Sequence, residues 1–220
     1  MKNYSSKLKI IVVGAVLIAM AVATYFYNQK HRQIDLSTED LAAAPEAKNE
    51  TLSDVTKIAA TGTPVAIKDR TLKKDGFTIM VPAGWAEVNY MAGATIVANP
   101  GEENLDPVLG KSGFKSYFSV TREKMGEKTW AQAVNYVETI VNGSAPEIKY
   151  MKQEDGKIGG IASHFWEADL ARDGVKFKIL VYAVRGKGDD LWILTFNTGA
   201  SMWPAYSRLA PKVFESFKLL

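Results

Sequence analysis

Chemistry in this chain has to start from His164, because the only other histidine is His31, close to the N-terminus. An imidazole titrates near neutrality and suits general-base or metal-ligand work. Ser163 stands beside it, so a Ser–His–acid hydrolytic set is the first arrangement to test. Adjacent residues of a strand point to opposite faces, which separates Ser163 from His164. There is no HExxH pairing, and a metal on His164 lacks a second neutral ligand from the same region. Two readings of His164 stand: a packed core or rim residue, or a ligand or general base in a pocket.

Three further stretches carry chemistry-bearing residue types. "VLGKSG", Val108 to Gly113, resembles a phosphate loop, but the required first Gly is replaced by Leu105, and Asp106-Pro107 breaks the strand–loop–helix context. It reads as a Gly-rich surface turn, and Gly156, Gly159 and Gly160 lack dinucleotide-loop spacing. "PGEENLDP" and "GDD" gather acids in two loops where oxygen ligands suit Ca²⁺, yet the EF-hand pattern is absent and solvated loop charge is the simpler expectation. Of the five tryptophans, Trp130, Trp166 and Trp192 fit core positions. Trp85, at a turn, and Trp203, at a helix start, are placed to reach the surface as partner contacts as well as to pack. These patterns assign no catalytic residue, no cofactor-binding residue, no cofactor and no metal ligand.

The elements that position these residues follow a division along the chain. Of 27 basic residues, Lys2, Lys7, Lys9, Lys30 and Arg32 lie in the first 32 positions, which hold no acid; the other 22 face all 24 acidic residues. The remainder is near neutral and lacks the basic stripe that nucleic-acid binding needs. With no Cys, disulfides, thiol catalysis and Cys-based zinc sites are excluded. Residues 1–9 form a short basic N-terminus. Residues 10–27, Ile10 to Tyr27, run 18 positions without a charge, about 27 Å as a helix. That nearly matches a bilayer core, so the segment reads as a transmembrane anchor. A signal peptide cleaved near Ala23, which would leave a secreted domain, is the alternative; apolar character continuing to Tyr27 favours retention. The positive-inside bias is small and places the C-terminal domain outside the cytoplasm. Residues 28–70, with few large apolar side chains, read as a flexible tether.

Residues 71–220 carry the globular domain. "FTIMV" alternates and ends at Pro82, which has no donor for a ladder. "ATIVAN" and "FKSYFSVTREKM" continue the period-2 pattern. Thr129 caps a helix whose stripe is Trp130, Val134, Val137 and Val141, with Gly143 suited to its end. Asp173-Gly174 marks a type I′ hairpin. Closing there sets Trp166 opposite Val181, Ala168 opposite Ile179, Leu170 opposite Phe177, Asp169 opposite Lys178 and His164 opposite Ala183. "LWILTF" is apolar on both faces and reads as a central strand covered on both sides. Ser201 caps a last helix, with Pro204 in its first turn and Pro211 interrupting it. The sum is an α+β domain with a mostly antiparallel sheet of about six or seven strands and two helices.

The order of "GFTIMVPAGW", the mid-chain helix, "GGIASHFWEADL", the hairpin into "KILVYAV", "LWILTFNT" and the closing "KVFESFKL" resembles a PsbP-like domain from about Leu72 to Leu220. That family includes the extrinsic photosystem II subunit and many bacterial membrane-linked domains. The resemblance implies an α/β/α sandwich and little about activity, because fold does not carry function. No functional motif of the family matches, so no ligand or partner contact is transferred. The expectation is a membrane-tethered, non-enzymatic binding or assembly module meeting an envelope protein. A hydrolase-type enzyme or a small-ligand or metal-binding domain centred on His164 is the alternative.

Overall fold

The computed structural model describes residues 68–89 and 93–220. The anchor and nearly all of the tether expected above lie outside the described residues. No helix among the described residues is long and apolar enough to cross a membrane.

Among the described residues ten strands form two sheets, and every strand pairing is antiparallel. The chain runs β1 (Arg70–Lys74), β2 (Phe77–Val81), β3 (Ala86–Val88), β4 (Ala94–Ala98), a short helix Pro107–Ser112, β5 (Tyr117–Lys124), a long helix Trp130–Ser144, β6 (Lys149–Ile158), β7 (Ile161–Arg172), β8 (Val175–Arg185), β9 (Asp190–Gly199), a 3₁₀ turn Ala200–Met202, helices Trp203–Tyr206 and Leu209–Glu215, and β10 (Lys218–Leu219). The large sheet has the order β3-β4-β5-β9-β8-β7-β6, and the small one the order β1-β2-β10.

The large sheet separates two apolar layers. On what we call the helix face, Val134, Val137 and Val141 of the long helix pack on Trp166, Leu170, Phe177, Ile179, Val181 and Ile193. On the opposite, tail face, Phe77, Ile79 and Val81 of β2 join Val213, Phe214 and Phe217 over Phe118, Val120, Leu180, Trp192, Leu194 and Phe196. All ten residues of β9 are buried, as a strand covered on both faces requires. The cover is uneven in kind: helices lie on one face, and a three-stranded sheet plus short helices lie on the other. This small sheet raises the strand count above the six or seven expected.

The β7–β8 hairpin has the register expected from Asp173-Gly174, including Trp166 with Val181, Asp169 with Lys178 and His164 with Ala183. Asp173 (φ 51°) and Gly174 (φ 79°) are both left-handed, as a type I′ turn demands. Lys178 Nζ lies 2.5 Å from Asp169 and 3.0 Å from Glu167. Thr129 caps the long helix through a reciprocal box with Gln132.

Several expectations change. The long helix passes through Gly143 and ends at Ser144, with Ala145 as its cap, whose N–H donates to Val141 O. "VLGKSG" is not an open turn: Asp106 caps Val108 and Leu109, and a helix runs to Ser112 before left-handed Gly113. The last helix is split, and Ser201 lies in the 3₁₀ turn without capping it. The break falls at Ser207–Arg208 rather than at Pro211. Pro211 lacks an N–H and clashes with a preceding turn, and restarting at Leu209 puts it where no such turn exists.

At the turn after β2, Trp85 N–H donates to Pro82 O, and Trp85 is only 5% exposed. Its ring stacks on Phe118 (5.9 Å), meets Tyr206 edge-on (5.7 Å) and lies 6.3 Å from Phe196. Trp85→Ala is expected to destabilise the domain by about 3–5 kcal/mol, as large core truncations do; chemical denaturation of the full chain measures it.

Candidate functional site

His164 stands on β7 between Asp155 of β6 and Ala183 of β8, on the helix face beside Trp166. Its Nδ1 is 2.7 Å from Asp155 Oδ1. The His164 and Trp166 rings lie 4.3 Å apart between centroids. Ser163, by strand alternation, faces the other way and is buried. His164 Nε2 has no hydrogen-bond partner among the described residues, so no hydroxyl is placed there as a nucleophile. The described residues also contain no group of three or more His, Asp or Glu side chains able to hold a metal ion. What the geometry does assemble is a carboxylate-oriented imidazole at the rim of an apolar layer.

The acidic loops are not solvated in the way their composition suggests. Glu102 is 3% exposed. Its carboxylate accepts from the Ser116 N–H at 3.0 Å and from the Tyr206 hydroxyl, and Asn99 Nδ2 donates to the same hydroxyl at 3.0 Å. Lys115 Nζ donates to the Glu102 carbonyl. Burial, followed by the Glu102 hydrogen bond, pushes the Tyr206 phenol up to about 12. In the other loop Asp190 is paired with Lys124 (2.6 Å) and Arg122 (2.8 Å), and the Lys124 hydrogen bond holds its carboxyl below the usual range. Neither arrangement was readable in advance, because Glu102 and Tyr206 are 104 residues apart and no local pattern links them.

The Glu102–Tyr206 contact ties the loop after β4 to the helix Trp203–Tyr206 at one end of the large sheet. Leu109 lies against Gly199 there, and a Cβ on Gly199 would come within 2.6 Å of the Leu109 side chain. In the same segment Leu105 is 71% and Val108 40% exposed. Trp203, half-buried, packs on Phe196 at 6.4 Å with Lys178 Nζ 5.8 Å over its ring. The two tryptophans singled out for surface roles therefore differ. Trp85 has its ring in the tail-face core, and Trp203 keeps part of its surface in solvent. The chain enters the domain at the same end: Arg70 Nη1 donates to Trp85 O at 2.9 Å, and Ala83 N–H to Asp69 Oδ1 at 2.8 Å.

No protein-family model matches this chain, and no curated protein matches it. Solved structures do. Cyanobacterial PsbP (CyanoP) from Synechocystis sp. PCC 6803 is 17% identical, with 76% of this chain and 100% of that chain covered at a TM-score of 0.54. LpqN of Mycobacterium tuberculosis, described as involved in cell envelope biogenesis, is 10% identical over 69% of this chain and 90% of its own, with a TM-score of 0.52. At such identities the likeness is one of fold, and the described domain has the PsbP-like fold.

Removing the Tyr206 hydroxyl leaves a buried carboxylate one donor short. Tyr206→Phe is expected to cost about 1–3 kcal/mol in denaturant unfolding of the full chain. The phenol is held protonated in the fold, so its contribution is complete below the ordinary tyrosine value of about 10. It is lost as pH rises from there through about 12. Tyr206→Phe should therefore flatten the alkaline limb of stability against pH.

Proposed function

We propose that this chain is a membrane-tethered, non-enzymatic binding or assembly module that works on the extracytoplasmic side through protein contacts. The observation that carries the reading is the exposure of Leu105 and Val108 beside the loop that Glu102 anchors, with Trp203 partly exposed in the helix that carries Tyr206. A few rigid apolar and aromatic anchors over an ordered base are what protein interfaces use. Here the base is the buried Glu102–Tyr206 contact, which fixes the loop to the helix Trp203–Tyr206. The chain enters the domain at this end, so a tether ahead of Lys68 holds the surface toward whatever carries the tether. Support for the location comes from the uncharged run Ile10 to Tyr27 and the lysines before it. The fold is shared with LpqN, a protein described as involved in cell envelope biogenesis.

A hydrolytic reading is not favoured by the site. Asp155 orients His164, but among the described residues Nε2 meets no hydroxyl and Ser163 faces away, so the pair has no nucleophile to activate.

The test uses the full chain in its own membrane, with a photo-crosslinking residue at Leu105 or Trp203. Protease is added to spheroplasts before lysis to report the side of the membrane. A single reproducible protein adduct is expected, reduced several-fold by Val108→Asp, together with cleavage of the domain without lysis. A domain protected until lysis, or no adduct that depends on Val108, would overturn the proposal.

A further inference from the structure

The small sheet has a side that the core does not use. Phe77, Ile79 and Val81 of β2 are buried against the large sheet, so Thr78 and Met80 between them face away from it. Lys73 of β1 and Lys218 of β10 both pair with Thr78, and the three form one row on the side turned away. Thr71, opposite Met80, belongs to the next row. The helix Leu209–Glu215 lies in the same layer, because its cap Ser216 accepts from the Met80 N–H at 2.8 Å. The buried residues of that helix, Ala210, Val213 and Phe214, join the tail-face core. Lys212 and Arg208, four positions apart, are exposed and share the opposite side.

Positive charge collects on this side. Residues 68–76 and 208–220 hold seven basic and three acidic side chains, whereas residues 77–207 hold 13 basic and 15 acidic. Two of the seven cations are used inside the fold, Arg70 on the Trp85 carbonyl and Lys74 on Glu87. The side chains of Lys73, Arg208, Lys212 and Lys218 have no hydrogen bond or ion pair among the described residues. The acids of these segments turn elsewhere. Asp69 accepts the Ala83 N–H, Asp75 lies 4.0 Å from Arg122 of the large sheet, and Glu215 acts on Tyr182 of β8. Four unopposed cations thus surround Thr71, Thr78 and Met80, on a domain whose remainder is net acidic. They come from two strands and a helix and do not converge, so their complement is a broad anionic surface and not a single ion.

We propose that this face lies on the anionic phospholipid headgroups of the membrane that holds the chain, with Lys73, Lys218, Lys212 and Arg208 as its contacts. The inference rests on the reading of Ile10 to Tyr27 as a retained anchor. Position favours lipid: the chain enters the domain through β1, the edge strand of this same small sheet. A tether of residues 28–67 keeps the face within reach of the bilayer, where several weak contacts act together at high effective concentration. Each lysine or arginine near an anionic leaflet strengthens association about fivefold, and salt weakens the effect. The face includes none of Leu105, Val108 and Trp203, so the proposed protein contacts stay available while the domain rests on lipid.

The chain has no Cys, so one introduced Cys carries a fluorophore at a single chosen place. The full chain is reconstituted in phosphatidylcholine vesicles, with or without phosphatidylglycerol, that contain nitroxide-headgroup lipid as quencher. Thr71→Cys probes the proposed face, and Lys157→Cys, exposed on the helix-face side of β6, probes the opposite one. Quenching at Thr71→Cys is expected to exceed that at Lys157→Cys several-fold with phosphatidylglycerol present. The difference is expected to vanish in pure phosphatidylcholine and in high salt, and to be largely removed by Lys73→Glu combined with Lys218→Glu. Equal quenching at the two positions, or a difference that ignores phosphatidylglycerol and the charge reversals, overturns the proposal. Carbonate washing reports the anchor separately, since a chain stripped from both vesicle types overturns the anchor reading. In that case sedimentation with phosphatidylglycerol vesicles alone, abolished by the two reversals, upholds the face, and its absence overturns the face as well.

Discussion

Everything in this domain depends on β9 being buried along its whole length. A strand with no solvated face needs two covers, and a chain of this size draws them from segments far apart in sequence. The helix face is closed by Trp130–Ser144, which is local to the sheet's own strands. The tail face is closed by β2 from the start of the domain and by Val213, Phe214 and Phe217 from its end. Those two pieces meet directly, with Lys218 paired to Thr78. The hydrophobic gain of covering β9 therefore requires the two ends of the domain to come together, and the small sheet is the seam where they do.

The same constraint explains the polar residues at the centre. Ser119 faces Thr195 at 2.6 Å and Ser116 faces Thr198 at 2.7 Å, hydroxyl to hydroxyl, on β5 and β9 or the residue leading into β5. Each pair sits in a layer where a lone hydroxyl would be costly, and each is satisfied by the strand beside it. The sheet thus tolerates polar side chains where cross-strand neighbours match. Among the described residues the buried side-chain nitrogens without a partner are those of His164 and Trp166 near its β6–β7 rim and of Asn104 in the loop after β4. β6 itself closes the sheet with a charged, exposed edge carrying Lys149, Lys152, Glu154, Asp155 and Lys157, a pattern that discourages pairing with other chains.

What could be read from residue order followed from locality. The β7–β8 register was legible because Asp173-Gly174 admits one turn type, and a single sum of positions then orders every pair. The double cover of β9 was legible from its unbroken apolarity, and the Thr129 cap from its position before a 3.6-period stripe. The extra sheet was less so, since Arg70–Lys74 and Lys218–Leu219 are short, charged strands whose meaning depends on β2 lying between them. The Glu102–Tyr206 contact was hidden in what reads as a solvated acidic loop, because burial of a carboxylate is a property of the distant partner that receives it. Trp85 and Trp203 looked alike in sequence and are separated only by how much ring the tail-face core absorbs.

The entry point of the chain has a mechanical meaning. Asp69 and Arg70 clip the start of β1 to Ala83 and Trp85, and β1 then pairs with β2 at five positions from Arg70 to Lys74. A pull on the preceding chain directed along β1 loads all five pairs at once, in shear, instead of peeling them one by one. The strand that joins the domain to the rest of the chain is thus the edge of the small sheet, and its partner β2 is rooted in the core by Phe77, Ile79 and Val81. The clip also bonds the entry point to Trp85, whose ring meets Tyr206, so load on the chain behind the domain is shared between the rooted strand β2 and the packing beside the Glu102 contact.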